Sequence, residues 1–403
     1  MGVLLLAAAV LVVALAIAGC GGSSSSSSSG GETEASGSQT TAEAGGGTEE
    51  AGSGESSGSG VAKAEEEVER LNVTEGLEWP KPPQKAFKAG HHTAAVISCG
   101  QAGEGCKDMS AAAQEALKAA GWSATPTGDG EFSPATQANL IQQAVEEGVE
   151  AIVLAAVDPA STKAAVDAAI AKGIPITCVG CSSPPEYTEK GTVIDSAVEP
   201  VQAGEDMGYW IVANSGGEGK IVSFVDHAFA TEVKHNEGTK KVVEELCSGC
   251  EYEEQSFATA ELEKPGPPVF SAALSSNPSG SLDWVNSNSA TYATPMVKTA
   301  AQQGREDVKV VGIETTPEFL AEMPKTEIAN ALLYVPFSYL GWSAVDNVIR
   351  EVNNQPTWET DEMPAALVTK ETVQPYLEAS PGLYEFPEFE FRSMFEKLWG
   401  VGG

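Results

Sequence analysis

Residues 149–157 (VEAIVLAAV) form an apolar run with no alternation, set between two amphipathic segments. A strand that is apolar on both sides must be covered on both faces, which a chain achieves by laying helices above and below a parallel sheet. The rest of the core repeats this pattern. Residues 92–100 (HTAAVISCG) predict a buried strand, 107–120 a helix stopped by Gly121, and 122–127 a second strand. A helix over 133–147 opens on Ser133-Pro134, where the missing proline N–H costs nothing, and Gly148 ends it. Asp158-Pro159 opens a helix to Lys172, and 174–179 is the next strand. The rhythm then restarts. Helices are expected at 201–213, 231–246, 269–276, 294–303 and 339–353, and strands at 221–226, 251–257, 282–286, 308–313 and 328–334. Alternation at this spacing makes right-handed parallel crossovers, so the expected class is α/β, with two doubly wound Rossmann-like lobes and a cleft between them.

The compartment follows from the first twenty residues. Residues 3–19 are an unbroken apolar run, short for a membrane span and of the right length for the hydrophobic part of a signal peptide. The run ends Ile17-Ala18-Gly19-Cys20, which looks like a bacterial lipobox, with Cys20 the residue that is lipidated. No Lys or Arg precedes it, and a plain transmembrane anchor is the competing reading. Residues 1–20 are therefore expected to be a lipoprotein signal peptide. Between 21 and 60, 25 of 40 residues are Gly or Ser and none is basic, which cannot bury enough apolar surface to fold. As a flexible coil that segment reaches on the order of 35 Å. A short acidic helix fits 61–71, and Trp79-Pro80-Lys81-Pro82-Pro83 reads as an extended approach, so 21–88 is taken as a disordered linker and approach segment. The folded part is expected outside the cytoplasmic membrane, tethered to it by lipid.

Charge and cysteine usage narrow the partners. Against 57 Asp and Glu stand 23 Lys and Arg, a net charge of −34, with no basic cluster to attract a phosphate backbone, so nucleic acid is not an expected partner. Beyond Cys20 the cysteines group as Cys99 and Cys106, Cys178 and Cys181, and Cys247 and Cys250. Neighbour pairing as disulfides is the simplest reading of an exported chain, although six cysteines admit fifteen pairings. Two Cys-x-x-Cys pairs also have the spacing of a zinc site or a thioredoxin-like centre. The oxidising exterior argues for disulfides, and no metal or cofactor is expected.

Residues 142–176 (QQAVEEGVEAIVLAAVDPASTKAAVDAAIAKGIPI) resemble the sugar-type periplasmic binding proteins of ABC transporters, the ribose- and galactose-binding class. Residues 304–316 (GREDVKVVGIETT) are similar to the stretch before that family's ligand-binding acid, and Leu340-Gly341-Trp342-Ser343-Ala344-Val345 to its closing helix. The likeness covers roughly 90–370. It implies a type I fold whose two discontinuous lobes are joined by a three-strand hinge: 89–182 with 337–365, and 183–336 with 366–403. It also implies ligand-binding roles for Gln101 after the first strand, Asp158 after the third, and Glu314 where Asp is usual. Elsewhere the chain departs from the family. Val179-Gly180 stand where Asp is usual, His235 where Arg is usual, and the run 286–290 (NSNSA), with Asn288, lacks the usual carboxylate. Tyr334, close to Pro336 and Phe337, replaces a Gln. His235, Asn288 and Tyr334 complete the candidate ligand set.

Each candidate also has a plainer role. Asp158 before Pro159 is a good helix cap, Glu314 suits a solvated strand end, and Gln101 in a Gly-rich loop suits backbone capping. His235 on an amphipathic helix, Tyr334 and Phe337 fit ordinary core positions, as Trp210 does. Catalysis finds little support. The loop 100–105 (GQAGEG) lacks the dinucleotide glycine spacing, and neither a Gly-x-Ser-x-Gly elbow in the core nor a His-Glu-x-x-His occurs. The expectation is a monomeric lipoprotein, not an enzyme, that closes on a small sugar-like solute and passes it to an ABC permease. The alternative is a sensory protein that presents the same ligand to a membrane receptor.

Overall fold

The fold, seen in a computed structural model, is described for residues 53–71, 79–259, 268–379 and 390–401. The expected signal peptide 1–20, Cys20 and the tether up to residue 52 lie outside them. Helix α1 (Ser53–Leu71) comes first in the chain among these. The first lobe follows as β1 (Thr93–Ser98), α2 (Glu104–Ala119), β2 (Ser123–Ala124), β3 (Gly128–Asp129), α3 (Pro134–Glu147), β4 (Ala151–Ala155), α4 (Lys163–Ala171), β5 (Ile176–Val179), α5 (Pro185–Thr188) and β6 (Val193–Ser196). The second lobe comprises α6 (Pro200–Ser215), β7 (Glu218–Val225), α7 (Ala230–Leu246), β8 (Gly249–Ser256), α8 (Pro268–Ser276), β9 (Trp284–Ser287), α9 (Ala290–Gln302), β10 (Lys309–Ile313), α10 (Pro317–Glu322) and β11 (Ala329–Tyr334). The chain then returns to the first lobe as α11 (Phe337–Val352), adds β12 (Ala366–Thr369) and α12 (Gln374–Ala379) to the second, and ends with α13 (Phe391–Trp399) on the first.

Both sheets are parallel except at one edge. The first runs β2-β1-β4-β5-β6, with β3 also on β1. The second runs β12-β11-β10-β9-β7-β8, and β12 pairs antiparallel with β11. Packing accounts for the apolar run at 149–157. Val153 and Ala155 of β4 face the layer holding α2 and α11, while Ile152 and Leu154 face the layer under α3 and α4. In β10, Val310 points into one layer and Val311 and Ile313 into the other. Helix α3 starts as its sequence demands: Ser133 Oγ accepts from Thr136 N at 3.3 Å, Pro134 follows, and Gly148 closes it at φ +75°. Three segments cross between the lobes, at 197–199, 335–336 and 360–365. Two of them pair, Ala197 N donating to Thr360 O at 2.8 Å and Met363 N to Ala197 O at 2.9 Å.

Helices α6 and α7 touch backbone to backbone. A Cβ on Gly204 would lie 2.0 Å from the His235 carbonyl oxygen, and one on Gly238 2.1 Å from that of Val201. Only glycine allows this approach.

The lobe limits differ from those expected. The boundary at residue 182 falls too early, because β6 pairs with β5 and belongs to the first sheet. The C-terminal segment assigned to the second lobe splits. Phe391, Phe395, Leu398 and Trp399 of α13 lie on one helical face and pack on the first lobe, where Trp399 stacks on Trp342 at 5.4 Å. The linker 21–88 also ends sooner. Helix α1 begins at Ser53, inside the Gly/Ser-rich stretch, and Ala64 and Leu71 are buried against α6 and α7. Trp79 is buried on the first lobe, edge-on to Tyr339.

Candidate functional site

The C-terminal ends of parallel strands gather loops and helix starts, and in open α/β sheets ligands lie there. In this chain the ends of β1, β4 and β5 face those of β7, β9 and β10 across a narrow cleft whose cavity volume is about 50 Å³. From the first lobe come the 103–106 loop, Met109, Phe132 and Asp158; from the second, Phe229, Thr231, Glu232, Ser289, Tyr292 and Glu314.

The first wall is built on a braced loop. A Cys99–Cys106 disulfide closes the turn after β1. A Cβ on Gly100 would meet the Phe132 ring at 2.7 Å, so the missing side chain is what lets that ring cover the loop. Glu131 and Phe132 are both left-handed, at φ +51° and +53°, which turns the chain from β3 into α3 at the cleft edge. Asp158 follows β4. Its two carboxylate oxygens accept from Ala160 N at 2.8 Å and Ser161 N at 3.2 Å, capping its own turn, and helix α4 starts only at Lys163.

The second wall carries a connected polar network. Tyr292 donates to Glu232 Oε1 at 2.6 Å, Asp226 N donates to Glu232 Oε2 at 3.0 Å, and Thr259 Oγ1 donates to Asp226 Oδ2 at 2.5 Å. Glu232 is buried, and desolvation, with Glu314 and Asp226 nearby, pushes its carboxyl well above the usual range. Glu314 stands at the end of β10 with φ +75°, a conformation that costs a non-glycine residue energy and often marks a functional position. Ser289 Oγ donates to it at 2.7 Å, and burial raises it to about 7.

Two contacts join the lobes at this level. Thr231 Oγ1 lies 2.9 Å from Ser182 Oγ and donates to Gly180 O at 3.2 Å. The Phe132 and Phe229 rings meet edge to face at 6.2 Å.

Of the six ligand candidates, Asp158 and Glu314 line the cleft. The other four stand behind it. Gln101 Nε2 donates to Ser110 Oγ at 3.0 Å, and Gln101 N is held by Asp129 Oδ1 at 2.9 Å. His235 is buried, its Nδ1–H donating to Asn288 O at 2.9 Å, and desolvation lowers it to about 4, so it is neutral. Asn288 donates to Ser223 Oγ and Phe224 O at 2.9 and 2.8 Å. Tyr334 is packed beside Tyr376 in the second-lobe core. The reading from sequence missed Glu232, Ser289, Tyr292 and Phe132. Glu232 had a usable signal, since it lies in the first helical turn after a parallel strand.

Two of the expected cysteine pairs are bonded, Cys99–Cys106 and Cys247–Cys250, whereas Cys178 and Cys181 are buried free thiols. The Cys178 and Cys181 sulfurs and an Asp195 oxygen lie within 4.8 Å of one another. Both Asp195 oxygens already accept backbone N–H groups, from Cys181 and Ser183, and burial raises both thiols. The trio fits a loop brace better than a metal centre.

Comparison with known proteins agrees with this geometry. A profile described as the periplasmic binding protein domain matches residues 94–356. No curated protein sequence matches the chain. Among solved structures, a sugar ABC transporter protein from Yersinia enterocolitica is similar at TM-score 0.68 and 15% identity, over 82% of this chain and 100% of that one. An ABC transporter solute-binding protein from Bacillus halodurans with bound myo-inositol is similar at TM-score 0.61 and 20% identity, over 73% and 98%. An ABC sugar transporter subunit from Rhodobacter sphaeroides gives TM-score 0.61 and 19% identity, over 70% and 98%. At these identities the likeness to the solved structures is one of fold.

Proposed function

The chain belongs to the periplasmic binding protein family, and on that premise we propose that it captures a small sugar-like solute between its lobes and delivers it to an ABC permease. The family is one of solute-binding proteins rather than enzymes. The observation that carries the reading is a cleft at facing strand ends, lined from both lobes by carboxylates, hydroxyls and rings. In the mechanism, solute bound to one wall completes contacts with the other only when the lobes come together. The solute then shifts the population toward the closed form by its extra affinity for that form. The three crossing segments take up the motion, and the closed face is what the permease would recognise.

The finer points rest on sequence. Lipidation at Cys20 would hold the protein at the outer face of the cell membrane as a monomer. In that oxidising compartment Cys99–Cys106 would keep the cleft loop in shape, and Cys247–Cys250 would tie the end of α7 to the start of β8. Thermal-shift screening of the full chain against sugars and polyols, followed by small-angle scattering with each hit, tests solute capture. A hit should raise the melting temperature and reduce the radius of gyration. A saturating hit that leaves the radius unchanged would argue for a rigid pocket. Uptake by the partner permease in reconstituted vesicles separates transport from sensing.

A further inference from the structure

We infer that the solute carries an ammonium group on a hydroxylated frame, as an amino sugar does, rather than being a neutral sugar; this rests on the solute-capture reading above. The charge pattern of the cleft is one-sided. Asp158 faces Glu232 and Glu314, and no Lys, Arg or His is among the residues that line it. Glu314 takes one hydrogen bond, from Ser289, and among the described residues its second oxygen has no partner. The groups around Glu314 are Ser289 from α9, Glu232 from α7, the Gly105 backbone from α2 and the Phe337 ring of α11. None of them is a cation.

The hydrogen-bond inventory points the same way. The side-chain hydroxyls on the wall are largely committed to protein acceptors: Thr231 to Gly180 O, Thr259 to Asp226, Ser289 to Glu314 and Tyr292 to Glu232. A solute that needs side-chain donors finds few, whereas one that brings donors finds carboxylates. An ammonium is all donor and no acceptor. The rings of Phe132, Phe229 and Tyr292 on the same walls suit a cation as well. Backbone N–H groups at the starts of α2, α7 and α9, which lack side-chain caps, remain for the oxygens of the hydroxylated part. The helix dipoles there are already met by Glu104 and Glu232 in the first turns of α2 and α7.

A carboxyl raised toward neutrality by burial is returned to its ionised form by a cation beside it, so binding releases protons near pH 7. The test uses matched pairs on the full-length chain: glucosamine with glucose, galactosamine with galactose, and 1-amino-1-deoxysorbitol with sorbitol. Calorimetry at pH 7 should show at least one amine binding tenfold or more tighter than its hydroxyl partner. In two buffers of different ionisation enthalpy, that binding should release up to about half a proton, since a carboxyl raised to about 7 is half protonated at pH 7. Glu314→Gln should weaken the amine by at least tenfold more than it weakens the hydroxyl partner. The proton count needs no variant, so it holds if Glu314→Gln folds poorly. Sugars binding as tightly as their amines, or amines binding with no proton release, would overturn the inference and leave solute capture standing. If no member of any pair raises the melting temperature, the amino-sugar inference falls, and solute capture is decided by the wider screen of sugars and polyols.

Discussion

Gly238→Ala tests the backbone contact that positions one wall of the cleft. The added Cβ would lie 2.1 Å from Val201 O, 2.8 Å from Glu205 N and 3.0 Å from Gly204 C, all main-chain atoms of α6 that cannot rotate away. To restore an ordinary contact, α7 has to retreat by about 1.3 Å along that line. The retreat stretches the 2.9 Å bond from Thr239 Oγ1 to Gly204 O and opens the layer around Met207 and Val242. Overpacking of this kind costs roughly 1–3 kcal/mol, and the rigidity of both helices puts this site at about 3. For a folding unit of this size each kcal/mol moves the melting temperature by about 2–4 °C, so a fall of ~6–12 °C is expected by scanning calorimetry. Because Thr231 and Glu232 ride on the first turn of α7, solute affinity should fall with it. Gly280→Ala is the control. That residue is left-handed at φ +80° with nothing within 4 Å of the new Cβ, so the cost is backbone strain alone, roughly 1–2 kcal/mol. A Gly238→Ala protein that melts within 2 °C of its parent would refute the close approach.

Asp158→Ala removes the acceptor of two backbone N–H groups, which should lower the melting temperature by about 2–4 °C for ~1 kcal/mol of lost capping. It should also weaken the solute identified by screening about tenfold or more, since a hydrogen bond to a charged group contributes ~1.5–3 kcal/mol; a dissociation constant within twofold of the parent would make it a cap alone. Glu314 in the folded chain titrates near 7 against an ordinary 4.5, so its stabilising contribution is complete below the lower value and disappears as pH rises through the upper one. Melting curves of Glu314→Gln and parent should therefore diverge between pH 5 and 8, with the Gln protein more stable at pH 8; parallel curves would sink the assignment. Cys178 and Cys181, buried and raised, should resist iodoacetamide in the native protein at pH 8 and both label after unfolding without reductant. Failure to label after unfolding would place a third disulfide there. Cys20→Ser should abolish acylation and move the protein out of the membrane fraction, and normal acylation in that variant would contradict the lipobox.

What the sequence disclosed depended on how locally each feature is encoded. Strands β4 and β10 were legible because parallel strands buried on both faces are written as apolar runs, with glycine after the preceding helix. Strand β6 escaped because it has four residues and includes Asp195, whose carboxylate caps the turn at Cys181 and Ser183. Such a polar residue looks like a loop until the tertiary partners are known. Strand β12 is a four-residue antiparallel edge, and α13 owes its place to Trp342 far away in sequence. Within the site, Asp158 and Glu314 were implied by the family resemblance, and they also stand at strand ends, where ligands lie in open α/β sheets. His235, Asn288 and Tyr334 were positions inferred from relatives. In this chain they form the layer behind the wall, His235 holding Asn288 and Asn288 holding β7. Glu232 and Tyr292 reach the cleft together only through a contact between α7 and α9, which no short window of sequence contains.

The Ser182–Thr231 and Phe132–Phe229 contacts are made wholly by protein atoms, so they act whether or not cargo is aboard. Two neutral hydrogen bonds and an edge-to-face ring pair together favour the closed form by roughly 1.5–4.5 kcal/mol, against the chain's tendency to open. That figure is one of the terms that set how often an unloaded molecule visits the closed form. For a receptor that delivers solute to an ABC permease, as proposed above, each such visit would present the closed face with nothing to carry, so latch strength would bear on how often the permease is engaged idly. A stronger latch would slow cargo release and raise idling, and a weaker one would let cargo escape before docking. The small, neutral composition of the latch suits a receptor that must let go as readily as it holds.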